Sequence, residues 1–128
     1  MNLIELSGCA IIQDEKLLLL WKIKEQHYEF PGGKVRPGET IEQTAIREVK
    51  EEIGVDVKLE KKFSTIEFIH KEKHLRGNLF LAETIAGEPR ITEPAVFDHY
   101  IWMPIHAHEK YTLAPNVKEF CIQYITKK

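Results

Sequence analysis

Two cysteines among 128 residues, Cys9 and Cys121, are too few for a disulfide framework, and both sit among apolar neighbours as buried thiols do. Seven glycines and six prolines exclude collagen-like and low-complexity classes. No apolar run approaches the ~18 residues that a membrane span needs. The segment Met1-Asn2-Leu3-Ile4-Glu5 lacks the basic start and apolar stretch of a secretory signal. Neither sign of charge dominates: 18 Lys and Arg against 20 Asp and Glu leave a net charge of −2. There is no global basic field to hold a nucleic-acid polymer, and the one Lys-rich stretch, 58–62, is interrupted by Glu60. With 43% hydrophobic residues, a chain of this length buries enough surface for its own core. These absences predict one cytoplasmic domain spanning residues 1–128, with no membrane and no polymeric nucleic acid as partner. A small anionic ligand needs only a local site and stays open, as do both a monomer and a homodimer.

What is present alternates between strand and helix signals. Residues 3–12 and 17–23 are apolar-rich and flank a polar segment of hairpin size, Gln13-Asp14-Glu15-Lys16. Pro31-Gly32-Gly33 and Pro37-Gly38 punctuate a loop. Residues 40–53 read as a helix: Thr40 and Gln43 have capping-box spacing, and Ile41, Ala45, Val49 and Ile53 form one apolar stripe. Gly54 stands where a left-handed C-terminal cap belongs. Residues 55–70 predict a long or bent strand, 74–85 its partner across a turn near 71–73, and 100–103 a short strand stopped by Pro104. Val117, Phe120, Cys121, Tyr124 and Ile125 follow helical spacing at the end of the chain. The pattern predicts an α+β or mixed α/β fold, a sheet between helices.

The first helix is poorly arranged for stability. Glu48, Glu51 and Glu52 fall within an arc of roughly 100° on one face, as like-charge neighbours at i,i+3 and i,i+4. Glu51 and Glu52 also lie in the last turn, where the helix dipole disfavours carboxylates. Solvation and pairing with Arg47 and Lys50 are one offset. A hard divalent cation, Mg²⁺ or Mn²⁺, is the other, because such ions take carboxylate and carbonyl oxygens. There is no Cys/His cluster for zinc, and His70 and His74 read as surface or cleft residues flanking a turn. The preceding loop adds Gly32-Gly33, whose backbone a ligand can approach closely, Lys34 and Arg36 for phosphate oxygens, and Glu39 as a fourth acid. Phosphate, metal and carboxylates at one place suit hydrolysis of a phosphoanhydride.

From Gly33 to Val55 the chain resembles the Nudix box, G-x5-E-x7-R-E-U-x-E-E-x-G-U, with U aliphatic. Gly33, Glu39, Arg47, Glu48, Val49, Glu51, Glu52, Gly54 and Val55 meet every specified position. Glu29-Phe30-Pro31-Gly32-Gly33-Lys34 is similar to the entry to the box in the MutT-like branch. The resemblance implies a mixed sheet in an α/β/α sandwich and Mg²⁺-dependent hydrolysis of a nucleoside diphosphate linked to a group X. It implies that Glu48, Glu51, Glu52 and the Gly33 carbonyl ligate metal, that Glu39 supports that shell, and that Arg47 orients a box carboxylate. Outside the box, Glu93 is the further metal carboxylate it suggests, Asn116 the reader of a purine edge, and Phe30 part of a nucleoside pocket. Markers of ADP-ribose and diadenosine polyphosphate members are missing beyond the box. That favours a nucleoside triphosphate, oxidised purines included, giving monophosphate and pyrophosphate. Nucleotide sugars, dinucleotides and a non-catalytic nucleotide sensor are the alternatives.

Overall fold

In the computed structural model, which describes residues 2–127, Asp14 and Glu15 both take positive φ, 52° and 60°. That backbone matches the twist of a two-residue hairpin and joins β1 (Leu3–Gln13) to β2 (Lys16–Lys22), with Gln13 opposite Lys16. The other elements are β3 (His27–Glu29), β4 (Gly32–Lys34), α1 (Ile41–Ile53), β5 (Asp56–His70), β6 (Lys73–Ala86), β7 (Phe97–Pro104), a 3-10 turn over Ile105–Lys110, and α2 (Pro115–Lys127). The sheet runs β3-β2-β1-β6-β5, with β4 also on β1 and β7 on β2. It is mixed: β1 lies parallel to β6, from Leu3 opposite His74 to Ile11 opposite Ala82, whereas the other pairs are antiparallel. None of the described helices is long and apolar enough to cross a membrane.

Side chains from β1 and β2 leave the sheet alternately. Cys9, Ile11, Leu18 and Leu20 join Ala45, Val49 and Ile53 of α1 in one core. Ala10, Leu17 and Leu19 join Val117, Phe120 and Cys121 of α2 in another. A strand covered on both faces needs no polar alternation, which is why 17–20 is an unbroken leucine run with every side chain at 0% exposure. Each such burial stabilises by about 1.5–3 kcal/mol relative to exposure. Both thiols are free and buried, and burial pushes Cys9 up to about 12 and Cys121 up to about 11. The sandwich expected from the sequence is present, with α1 and α2 on opposite faces.

Two expectations change. Residues 32–34, read as loop, form a short strand with Gly8 opposite Gly32 and Ser7 opposite Gly33. The backbones approach so closely that a Cβ on Gly32 would lie 2.8 Å from the Gly8 Cα. Two glycines that look like loop punctuation are what this strand contact requires. The strand predicted at 100–103 begins earlier, at Phe97, and includes Pro104. The predicted bend in β5 is real: its register with β6 shifts at 56/57, 59/61 and 62/64.

Candidate active site

The capping box forms at the start of α1: Thr40 Oγ1 accepts from Gln43 N, and Gln43 Oε1 accepts from Thr40 N. Gly54, at φ 73°, ends the helix and donates to the Lys50 carbonyl. Fixed at both ends and by its buried stripe, α1 turns the other face, with its acids, towards β4 and the loop after β6.

Arg47 organises that face. Its guanidinium makes a bidentate pair with Glu39 (Nε to Oε2 2.7 Å, Nη2 to Oε1 3.0 Å) and donates through Nη1 to Glu51 at 2.7 Å and Glu48 at 3.1 Å. Nη2 also donates to the Lys34 carbonyl at 3.1 Å, tying helix to β4. The Arg47 guanidinium and the Thr44 hydroxyl hold the Glu39 carboxyl down at about 2. Glu52 turns inward and accepts from Gly32 N at 2.8 Å. Burial, chiefly, pushes its carboxyl up to about 8, with Glu48, Glu93 and Glu29 adding repulsion. Burial also raises Glu48.

These groups line a cleft of about 710 Å³ with Lys22, Glu29, Phe30, Gly32, Gly33, Arg36, Thr92, Glu93, Val96 and Phe97. Glu48, Glu51, Glu52, Glu93, Gly33, Arg36 and Phe30 are thus brought together. Arg36 is exposed and 3.6 Å from Glu51. Phe30 also packs edge-on against Phe120, at 5.5 Å between ring centroids. Glu39 stands behind the cleft on Arg47. Lys34 contributes its carbonyl, while its side chain is absent from the lining. Asn116, exposed in the first turn of α2, does not line the cleft either. His70 and His74 belong to the β5–β6 hairpin, His74 pairing with Glu67 at 2.9 Å, and neither lines the cleft.

The match to known proteins agrees with this geometry. Residues 6–123 fit the family model of the NUDIX domain. The chain belongs to the NUDIX family. Over 65 residues it is 45% identical to the putative 8-oxo-dGTP diphosphatase YtkD of Bacillus subtilis, covering 51% of this chain and 41% of that protein. Over 81 residues it is 37% identical to the 8-oxo-dGTP diphosphatase of Buchnera aphidicola, covering 63% of each. These alignments therefore span less than two thirds of either relative. A MutT NUDIX hydrolase from Burkholderia pseudomallei superposes with a TM-score of 0.85 at 24% identity, over 96% of this chain and 98% of that one. That last likeness establishes the NUDIX fold.

Lys22, Glu29 and Thr92 are cleft residues that the sequence does not announce. Lys22 lies opposite His27, and Leu20 opposite Glu29, so Lys22 and Glu29 share a face with the core residues Leu18 and Leu20. Continuing the β2 alternation by one step would have placed Lys22 there. Glu29 Oε2 is buried without a hydrogen bond, 3.5 Å from Lys22 Nζ and 3.4 Å from His27 Nε2.

The donor chemistry fits a hard divalent cation. Glu52 is a carboxylate whose burial works against its charge and which accepts a hydrogen bond from Gly32 N, and Glu48 packs directly over the Gly33 backbone. The sequence suggested three converging carboxylates. In the structure Arg47 draws Glu48 and Glu51 sideways while Glu52 turns to Gly32. Among the described residues no three acidic, His or Cys side chains are gathered at metal-binding distance.

Proposed function

We propose that this NUDIX protein hydrolyses a phosphoanhydride bond of a nucleoside diphosphate linked to a group X. The substrate class is a nucleoside triphosphate, oxidised purine triphosphates included, with monophosphate and pyrophosphate as products. The observation that carries the reading is the meeting in one cleft of Glu48, Glu51, Glu52 and Glu93 with the cations Lys22 and Arg36 and the backbone of Gly32-Gly33. Relatives that align over the NUDIX region bear the name 8-oxo-dGTP diphosphatase, which supports the choice of substrate class.

Glu48, Glu51, Glu52, Glu93 and the Gly33 carbonyl would hold Mg²⁺, with Mn²⁺ as a substitute. When bound, such an ion neutralises phosphate charge and acts as a Lewis acid. The remaining work falls to the chain. Lys22 and Arg36 meet phosphate oxygens at the open side of the cleft. Water attacks a phosphorus of the anhydride, the bridging P–O bond breaks, and the displaced phosphate leaves with the bridging oxygen. A cleft carboxylate takes the proton the water loses. Glu48, Glu51, Glu52 and Glu93 are the acids of the acidic ridge and its facing loop that line the cleft and can accept it. Arg47 and Glu39 keep the ridge in register from behind, and Phe30 offers a ring to the nucleoside side.

The test is phosphate and pyrophosphate release from a panel of normal and oxidised triphosphates, ADP-ribose, nucleotide sugars and dinucleotides, with and without Mg²⁺. Release of pyrophosphate from triphosphates only when Mg²⁺ is present supports the reading. Binding by calorimetry without any product would instead identify a nucleotide sensor.

A further inference from the structure

An α-helix ends with four carbonyls that lack a partner inside the helix. In α1 these belong to Lys50, Glu51, Glu52 and Ile53, and each is met. Gly54 N donates to Lys50 O at 3.0 Å, which is the ordinary cap. The other three are met by one segment from the loop between β6 and β7. Arg90 N donates to Ile53 O at 2.9 Å, and Thr92 N to Glu52 O at 3.3 Å. The Thr92 hydroxyl donates between Glu51 O and Glu52 O, the second at 3.0 Å. The next residue is Glu93. Its carbonyl accepts from Val96 N and Phe97 N, both at 2.9 Å, so the backbone beyond it is also fixed. Glu93 lines the cleft and bears electrostatically on Glu52.

We infer that Thr92 is a positioning residue: by clamping onto the carbonyls of Glu51 and Glu52, its hydroxyl sets the Glu93 carboxylate against the acidic ridge of α1. The two residues whose carbonyls it grips carry two of the acids that Glu93 must meet, so one contact sets the spacing between loop and helix. Backbone hydrogen bonds at Arg90 and Thr92 bring the loop to the helix end. The Thr92 hydroxyl extends that contact to the Glu51 carbonyl. The inference rests on the proposed hydrolase reading, in which Glu93 joins the metal-binding set.

The test compares Thr92→Val, which keeps the side-chain shape and deletes the donor, with Thr92→Ser, which keeps the donor. Mn²⁺ binding to the full chain without nucleotide, followed by electron paramagnetic resonance, is read beside kcat and KM for triphosphate hydrolysis. Loss of a partner that orients a metal ligand typically costs about 10–100-fold in metal affinity or activity. The expected result is a Kd for Mn²⁺ raised about tenfold in Thr92→Val, kcat lowered with KM little changed, and both restored in Thr92→Ser. A merely structural role would lower the melting temperature and leave the Mn²⁺ Kd in place. Wild-type Mn²⁺ affinity in Thr92→Val overturns the inference, as does a Thr92→Ser variant equally impaired. So does a Glu93→Gln variant that binds Mn²⁺ normally. If the wild type itself neither binds Mn²⁺ nor hydrolyses triphosphates, the hydrolase reading has failed first.

Discussion

The Glu48 carboxylate packs directly on the backbone of Gly33: a Cβ built on that glycine would lie 2.2 Å from Glu48 Oε2. No other residue at position 33 leaves the carboxylate where it stands. Glu48 is the end of a flexible side chain, so the conflict is resolved by moving the acid and not the fold. Gly33→Ala is expected to lower kcat/KM by about 10–100-fold while the melting temperature changes little.

Gly8→Ala makes the opposite trade. A Cβ there would meet the Pro31 carbonyl oxygen, part of the backbone, at 2.4 Å. That carbonyl also accepts from Cys9 N at 3.1 Å, so it cannot yield without losing a hydrogen bond. Destabilisation of about 1–3 kcal/mol is expected, measured by urea titration.

Arg47→Lys tests whether charge alone serves at the centre of the ridge. Arg47 reaches Glu39, Glu48, Glu51 and the Lys34 carbonyl from one planar group. An ammonium has the same charge but not the fork. The expected outcome is a fall in kcat/KM of about 10–100-fold together with a lower melting temperature. Wild-type kinetics in Arg47→Lys would show that the geometry of the guanidinium is irrelevant.

A pH dependence follows from the far end of β1. Glu5 accepts from Arg76 Nε at 2.7 Å and Nη2 at 3.1 Å, and from Asn78 Nδ2 at 2.9 Å. Arg76 first, then Asn78, holds the Glu5 carboxyl below its ordinary value of 4.5. The unfolded chain therefore binds more protons in mild acid, and this stabilisation is present above that ordinary value and lost as pH falls through the folded one. Glu5→Gln is expected to melt lower than wild type at pH 7, and the two curves should draw together as the pH falls below 4.5. A gap that stays constant across that range would contradict the account. Melting curves followed by circular dichroism over the pH series decide it.

How much of this was legible in the sequence depends on how local each signal is. The helix over Ile41–Ile53 was legible because Thr40, Gln43 and Gly54 act within one turn of its ends. The β1–β2 turn was legible for the same reason. The parallel pairing that sets Glu5 beside Arg76 joins residues 71 apart, and no local pattern encodes it. Gly32 and Gly33 read as loop because glycine is poor in strands, and their strand role appears only once Gly8 is seen against them. The box acids were legible from spacing on one helix. Lys22, Glu29 and Thr92 were not, because strand register and the docking of a loop on a helix end bring them to the cleft.

The central claim is that the acid ridge of α1 serves hydrolysis through a divalent cation, and Glu52 is its most direct probe. Glu52→Gln keeps an oxygen to accept from Gly32 N, so the helix and β4 should stay folded. The measurement is pyrophosphate release from an oxidised purine triphosphate at saturating Mg²⁺, wild type beside Glu52→Gln, each repeated with the metal chelated. The account predicts Mg²⁺-dependent turnover in the wild type and loss of most of it in a folded Glu52→Gln. Equal turnover in the two proteins, or turnover that survives chelation, would contradict it.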